Sequence, residues 1–562
     1  MKDELMNLNK DRILALLEDV VGEENVSDRD AIMVAYSRDN QWPFIPPHMP
    51  DYVVRPETTE EVQKVLRIAN RYRIPVVTMS SGINVRGLCI PTYGGIILEL
   101  KRMKKLEIDE EMMTATIQPG ITTAKINAEL KKRGLKAAVP AAPGTVAPLS
   151  NYMLRGVYHE NASQGIDHVL TATIVLPNGE ILYTGSKAFP NIDPYFKYFG
   201  PDLFGLFAGQ PGTMGVITEV TTELYKLEKQ EAMENFFANL EDAINFTDDI
   251  GKLGIVSSQI MMSWGIAWTT MGWIKSDFST EVYADLLIMS PWVTLTVIEG
   301  DDDAIEYKKK VVKKVMDNFK FIDEDVQSKF SEITYPMMKR ADEVLSPECQ
   351  EAMKITPSNP QPWLDVMTSY EVFSERGMEK NDLEDIGYEI PKVRDEIGVG
   401  DFLPVTPFTT ADEFLYPRKI AYWFARGNYW ALAWWGPLNK SKEYWDKSLK
   451  LWVDCGLVER DLCYVVEVTG PGPYVGKIGY VELDAWMDYS SDPALRDNLV
   501  VFMDKATDML LDIGIYAWFR PYRAVVKKTL PKLKGEYISL WKKLKELVDP
   551  NNIMNPGALF EE

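Results

Sequence analysis

Cysteine and histidine are the scarcest chemistry-bearing residues here, with four and three in 562 positions. Cys89, Cys349, Cys455 and Cys463 form no CxxC pair. They are too few for a disulfide framework, so a reducing, cytoplasmic setting is expected. His48, His159 and His168 fall in no HxxxH or HExxH pattern, which leaves a zinc hydrolase without ligands and gives no metal site. A long apolar run is also missing. The stretch from Leu286 to Ile298 is broken by Pro291 and is too short for a membrane span, and the acidic start MKDELMN lacks the apolar stretch of a secretory signal. Positive charge is in deficit: 61 Lys and Arg minus 83 Asp and Glu gives −22. Such a field repels nucleic-acid phosphates and anionic lipid heads, so neither is an expected partner.

What is present is an ordinary globular composition, 46% hydrophobic and 26% charged, over a length equal to about three to four typical domains. The first forty residues read as a packing helix, with Leu5, Leu8, Ile13, Leu16, Leu17 and Val20 near helical spacing. From Tyr52 the pattern changes. Short strands are expected at 52–56, 74–79, 95–100 and 114–118, with a helix capped by Thr58-Thr59-Glu60-Glu61 and burying Val62, Val65, Leu66 and Ala69. A second helix is expected over about 123–133. No GxGxxG lies between a strand and a helix, so a dinucleotide fold of the βαβαβ type is disfavoured. A later block, 228–513, contains two strands each followed by a charged helix, at 292–298 with 307–316 and at 429–435 with a helix carrying Trp445, Leu449 and Trp452. These read as an internal duplication within a ferredoxin-like antiparallel sheet.

Three loops carry more than a turn needs. Met79-Ser80-Ser81-Gly82-Ile83-Asn84-Val85-Arg86-Gly87 follows a strand, and its small residues let backbone N–H groups converge on an anion. Pro140-Ala141-Ala142-Pro143-Gly144-Thr145, leading to Ser150-Asn151, is stiff yet slim, suited to lie against a flat ring; a plain surface loop reads the same way. Gly209 to Gly215 precedes the β-branched strand Val216-Ile217-Thr218 and permits close backbone approach.

Together these segments resemble the vanillyl-alcohol oxidase and p-cresol methylhydroxylase family of flavoproteins. The resemblance rests on Arg55-Pro56 with Thr59-Glu60-Glu61-Val62, on Ser81 to Gly87, on Ile117-Gln118-Pro119-Gly120 and on Ser150-Asn151 through Leu154-Arg155-Gly156-Val157 to Gly165-Ile166-Asp167-His168. Val175 to Glu180, Phe199-Gly200-Pro201-Asp202 and the closing Asp549-Pro550-Asn551-Asn552-Ile553-Met554-Asn555-Pro556-Gly557 continue it. It implies an α+β fold: a two-subdomain FAD-binding domain (46–227, completed by 514–562) after a helical extension (1–45), under an antiparallel cap (228–513).

The resemblance also implies FAD in an extended pose. Its contacts would come from Ser80, Ser81, Gly82, Ile83, Asn84, Val85 and Gly87, from Pro143, Gly144, Thr145, Ser150, Asn151, Gly156, His159, Asp167 and His168, and from Gly215, Val216 and Ile217. Asp167 takes the position beside flavin N5, and Tyr516 that of the phenol-binding tyrosine. The family often places an arginine after that tyrosine; here Ala517 follows, with Arg520 or Arg523 to serve instead. Arg86, in a loop one residue shorter than the family's, is the other expected substrate contact. Many relatives attach FAD through a cap histidine, and all three histidines here precede residue 170, so dissociable FAD is expected. The implied activity is oxidation of a benzylic or alcoholic carbon, of a para-substituted phenol or related aromatic. A D-2-hydroxy-acid dehydrogenase and a flavin-carrying electron-relay subunit are the alternatives. A cytochrome or electron-transfer flavoprotein as redox partner and a homo-oligomer are expected.

Overall fold

The computed structural model describes residues 2–39, 44–82, 87–137, 146–150, 165–237, 239–263, 292–319, 428–457, 465–469, 478–487, 492–515 and 523–560. The chain opens with helix α1 (Lys2–Val21) and the short α2 (Asp30–Met33). A first sheet follows, built from β1 (Val26–Ser27), β2 (Tyr52–Val54), β3 (Val76–Met79) and β4 (Ile96–Glu99) in the order β1-β2-β4-β3. Both β2 and β3 run parallel to β4. A parallel pair needs a crossover, and α3 (Thr59–Tyr72) supplies it.

The helix starts where expected: Thr58 Oγ1 accepts the Glu61 N–H at 3.1 Å, and the Glu61 carboxylate accepts the Glu57 N–H at 2.7 Å. Val62, Val65, Leu66 and Ala69 are all buried, each large one contributing about 1.5–3 kcal/mol of burial. They meet Leu17 of α1, Val76, Ile96 and Leu98 in one core.

The second sheet comprises β5 (Leu106–Asp109), β6 (Thr114–Ile117), β7 (Leu135–Ala137), β8 (Val169–Val175), β9 (Ile181–Tyr183) and the long β10 (Val216–Lys226). Its pairs are all antiparallel, in the order β5-β6-β10-β8-β9, with β7 alongside the end of β10. Helix α4 (Thr123–Lys131), capped by Thr122, buries Ile126 and Leu130 against it.

The third sheet holds β11 (Lys229–Phe237), β12 (Ser258–Ser263), β13 (Trp292–Gly300), β14 (Asn428–Pro437), β15 (Val465–Thr469) and β16 (Ile478–Met487). Its helices are α5 (Leu240–Leu253), α6 (Asp302–Met316), α7 (Ser441–Asp454) and α8 (Pro493–Asp512). The strand order β11-β13-β12-β15-β16-β14 is a palindrome of two units. Each unit runs strand, helix, strand, strand, helix among the described residues. The duplication is therefore present, with a different alignment from the sequence expectation. The 428–437 strand and its helix match β11 with α5, not β13 with α6. The intervening strands β15 and β16 carry no strong motif, which is why the shorter match stood out.

Register also sorts the aromatic strand. Met261, buried in the helix-covered core, pairs with Val468, Val468 with Val481 and Val481 with Trp434. Positions 430, 432 and 434 thus share the helix-covered face, and positions 429, 431 and 433 the opposite one. Of the other cap aromatics, Tyr444 and Trp452 are fully buried core, with Trp452 edge-on to Phe502 at 4.9 Å. Trp423 and Phe424 lie outside the described residues.

The carboxyl end joins all three sheets. Val525 of α9 (Arg523–Thr529) enters the third sheet's core, and Trp541, Leu544 and Val548 of α10 (Tyr537–Val548) pack on the second. Ile553 and Met554 enter the first, where Met554 bridges in parallel to Val76. Among the described residues no helix is long and apolar enough to cross a membrane.

Candidate functional site

The ends of β3 and β6 and the approach to β10 converge where the first two sheets meet. Just past β3, buried Ser80 donates its hydroxyl to Pro119 O at 2.6 Å, stitching the first sheet to the second. Gly82 has φ +78° and Gly87 φ +71°, and the Gly87 N–H donates to Asp39 Oδ2 at 2.8 Å. Facing them, Gly212 has φ +68°, and a Cβ there would stand 2.8 Å from Thr78 Oγ1. A Cβ on Gly215 would stand 2.9 Å from Val175 O. At Gly212 the neighbour is the Thr78 hydroxyl and at Gly215 the Val175 carbonyl, so neither position has room for a side chain and the two loops meet at a seam of main chain, the glycine slot. Val216 and Ile217 send their side chains into the cores, so only their backbone is available to a ligand. Ile83, Asn84, Val85 and Arg86 lie outside the described residues, as do Pro143, Gly144, Thr145, Asn151, Gly156 and His159. Ser150 is half-buried, its hydroxyl donating to Ala147 O at 3.4 Å.

A charge cluster that the sequence reading did not pick out lies beside this slot. Glu99, at the end of β4, is buried to 4% side-chain exposure, with Arg55 Nε and Lys101 Nζ each 3.1 Å from its carboxylate and the Tyr36 hydroxyl donating at 3.0 Å. Burial first, and the Glu99 charge second, push the Tyr36 phenol up to about 12. Arg55 and Lys101 compensate the Glu99 charge, while the Asp39 carboxylate sits on the Gly87 N–H; Lys101 is the cation beside Gly82. Lys101 Nζ is 3.4 Å from where a Cβ on Gly82 would sit. Left-handed glycines, a backbone slot and adjacent positive charge are the features a diphosphate requires. The residues present therefore fit the diphosphate end of FAD.

Gly120 closes the same region: a Cβ there would be 2.4 Å from Lys101 O and 2.7 Å from Leu100 O. We expect Gly120→Ala to cost about 1–3 kcal/mol by overpacking, read as a lower urea midpoint. Gly205→Ala, whose added Cβ would meet only Asp202 Oδ2 at 3.9 Å, should leave that midpoint unchanged.

The second group lies at the far end of the same sheet. A 3₁₀ turn, Gly165–His168, delivers Asp167 and His168 to the start of β8. His168 is buried, its Nδ1 2.6 Å from the Tyr225 hydroxyl. Tyr225 donates to Glu223 Oε2 at 2.8 Å. Because the phenol has one hydrogen and spends it on the carboxylate, its oxygen accepts from His168 Nδ1–H, which fixes the tautomer. Glu223 and Tyr225 stand two apart on β10 and so share a face. The proximity of His168, its Nδ1 3.5 Å from Glu223 Oε2, and then the hydrogen bond from Tyr225 hold the Glu223 carboxyl below its ordinary value against the cost of burial. Asp167 is exposed, yet partial desolvation pushes its carboxyl up, against the pull of the His168 and Lys197 charges. Strand register measures the separation of the two groups. Val216 pairs with Val175 and Thr222 with Val169, so six residues of strand, about 20 Å at 3.4 Å each, part the glycine slot from the Asp167 turn. A ligand touching both is long and extended.

Tyr516 and Arg520 lie outside the described residues. Arg523 opens α9, its side chain outside them as well. Among the described residues no group of three or more His, Cys, Asp or Glu is placed to hold a metal ion.

Comparison with known proteins defines the class. Residues 50–185 match the FAD binding domain family. The chain aligns along 98% of its length with p-cresol methylhydroxylase in complex with substrate (TM-score 0.70, 18% identity, 96% of that chain). It aligns to the same extent with 4-ethylphenol oxidase from Gulosibacter chungangensis (TM-score 0.71, 17% identity, 97% of that chain). The fold is thus the α+β, two-subdomain type of p-cresol methylhydroxylase with an antiparallel cap. In sequence the chain is 34% identical to the glycolate oxidase subunit GlcD of Bacillus subtilis over 43% of this chain and 51% of that one. It spans about half the length of the first curated relatives it matches. Residues 50–185 thus form an FAD-binding domain, the fold is like that of p-cresol methylhydroxylase, and FAD is the cofactor.

Proposed function

We propose that this protein is an FAD-dependent oxidoreductase acting on a benzylic or alcoholic carbon, with a para-substituted phenol or related aromatic as substrate. The Asp167 turn carries this reading: a desolvated, accessible carboxylate held at one end of β10 by the His168–Tyr225–Glu223 chain, with the glycine slot at the other. FAD, when bound, supplies the two-electron acceptor. The slot, with Lys101 and Arg55 beside it, holds the diphosphate. Asp167 orients substrate and stabilises positive charge as the carbon is oxidised, or takes the proton released. Tyr516 receives the phenol, with Arg520, Arg523 and Arg86 as the cations for an anionic group. The sheet face opposite the helices closes over the substrate as a cap, with 46–227 and 514–562 as the FAD domain and 228–513 as the cap.

The 34% identity to a glycolate oxidase subunit favours a second reading, a D-2-hydroxy-acid dehydrogenase, in which the same arginines bind a carboxylate. Anaerobic mixing with a para-alkylphenol, a vanillyl-type alcohol and D-lactate separates the two, since one class alone should bleach the flavin. Reoxidation by oxygen, by a cytochrome or by an electron-transfer flavoprotein identifies the acceptor. A homo-oligomer is part of the proposal and is read by light scattering.

The three histidines at 48, 159 and 168 leave the cap without the residue that commonly links flavin. On acid precipitation we expect the yellow colour in the supernatant; colour retained in the pellet contradicts dissociable FAD.

A further inference from the structure

The closing segment does more than complete a core. Asn555 is buried and holds φ +39°, a left-handed conformation that asparagine tolerates better than most residues. Its backbone N–H donates to Val76 O at 2.8 Å, which plants it on the edge of β3. Its side-chain amide donates to two carbonyls in different loops, Leu88 O at 3.1 Å and Pro211 O at 2.7 Å. Leu88 lies within the loop that joins β3 to β4, one residue past Gly87. Pro211 opens the Gly212 to Gly215 approach to β10. One NH₂ group therefore spans the two loops that flank the glycine slot. From the other side, Lys545 Nζ donates to Thr213 O at 2.6 Å, fixing the second loop again.

We propose that Asn555 is a positioning residue for FAD. By tying Leu88 O to Pro211 O it sets the width of the backbone slot, so that seating of the carboxyl-terminal segment and affinity for the dinucleotide are coupled. This rests on the reading of the two loops as the diphosphate site. Asn555 touches the loops and not the ligand, so its loss acts through slot geometry. Two buried carbonyls that lose a donor relax toward other partners, and the slot widens or collapses.

The test uses full-length apoprotein titrated with FAD, read by quenching of flavin fluorescence, together with the urea midpoint of the same apoprotein. Asn555→Gly keeps the left-handed backbone available and removes the amide. Asn555→Asp keeps the shape and replaces two donors by an acceptor. Both should raise the FAD Kd by about tenfold or more, the scale of one to two lost hydrogen bonds. Asn551→Ala, at an exposed position of the same segment whose side chain bonds Asn70 at 2.8 Å, should leave Kd unchanged. A folded Asn555→Gly or Asn555→Asp protein with parental FAD affinity overturns the proposal, whatever its urea midpoint. If Asn555→Gly fails to fold, Asn555→Asp decides. Parental protein that takes up no FAD contradicts the reading of the slot itself, an outcome distinct from an Asn555 variant that binds normally.

Discussion

Asp167→Asn should fold, still take up FAD and reduce its flavin about 10²–10⁴-fold more slowly, the range that a positioned acid–base group contributes. The Asp167 carboxylate is accessible, while its neighbour His168 is clamped by Tyr225 at 2.6 Å, so the Gly165–His168 turn cannot re-aim cheaply. Asparagine keeps the size and removes the charge and the basicity. The pH dependence follows from the direction of the shift. Desolvation raises the Asp167 pKa, so the ionised, working form is lost on acidification earlier than for an aspartate in water, with its pKa of about 3.9. The acid limb of flavin reduction should therefore stand above that value and vanish in Asp167→Asn. For stability the sign is opposite to the usual paired carboxylate. A raised folded-state pKa costs stability above the unfolded value, and that cost fades as the pH falls. Glu223, with its lowered pKa, contributes stability above its unfolded pKa and loses it as the pH falls through the folded value. Single-turnover reduction by stopped flow, across pH, reads the kinetic effect. A variant that reduces at the parental rate removes Asp167 from the chemistry.

The second large effect is structural. Lys545 is buried and donates to Thr213 O, Met554 O and the Asp549 carboxylate, which is itself fully buried and accepts from Ile553 N–H at 3.0 Å and Met554 N–H at 2.8 Å. Burial pulls the Lys545 pKa down and Asp549 pulls it back. A buried pair of this kind is weak evidence of net stabilisation, but removing one partner strands the other charge. Lys545→Met should therefore cost about 3–5 kcal/mol, seen as a fall in the urea midpoint. Lys545→Met with Asp549→Asn should recover much of it, because the stranded carboxylate is gone. A single variant as stable as the parent would show that the closing segment does not depend on this pair.

Much of the fold was legible because local rules and tertiary packing agree. The Thr58 cap and the 62, 65, 66, 69 spacing produce α3 as expected, and the closing 549–557 segment packs Ile553 and Met554 into the core of the first sheet. Among the strands not foreseen, β5, β7 and β9 are three or four residues long; β5 and β9 are held by their hairpin neighbours β6 and β8, and β7 by β10, distant in sequence. The glycines of the site were visible as glycines. Their partners were not, since nothing in a linear reading ties Ser80 to Pro119, Lys101 to Gly82 or Asn555 to Leu88 and Pro211. Glu99 looked like an ordinary strand residue, although a glutamate inside an apolar strand followed directly by Lys101 and Arg102 is a signal of a buried ion pair. Glu223 and Tyr225 carried a fainter one, two polar groups at strand spacing opposite a histidine turn.

We propose that the glycine slot and the Asp167 turn, joined by β10, hold one extended FAD that oxidises a small alcohol or phenol. The most direct measurement is the visible spectrum of FAD-loaded protein mixed anaerobically with a para-alkylphenol. The account predicts a flavin band that bleaches on mixing. A protein that takes up no FAD, or a flavin band that persists with the phenol, the vanillyl-type alcohol and D-lactate alike, would contradict it.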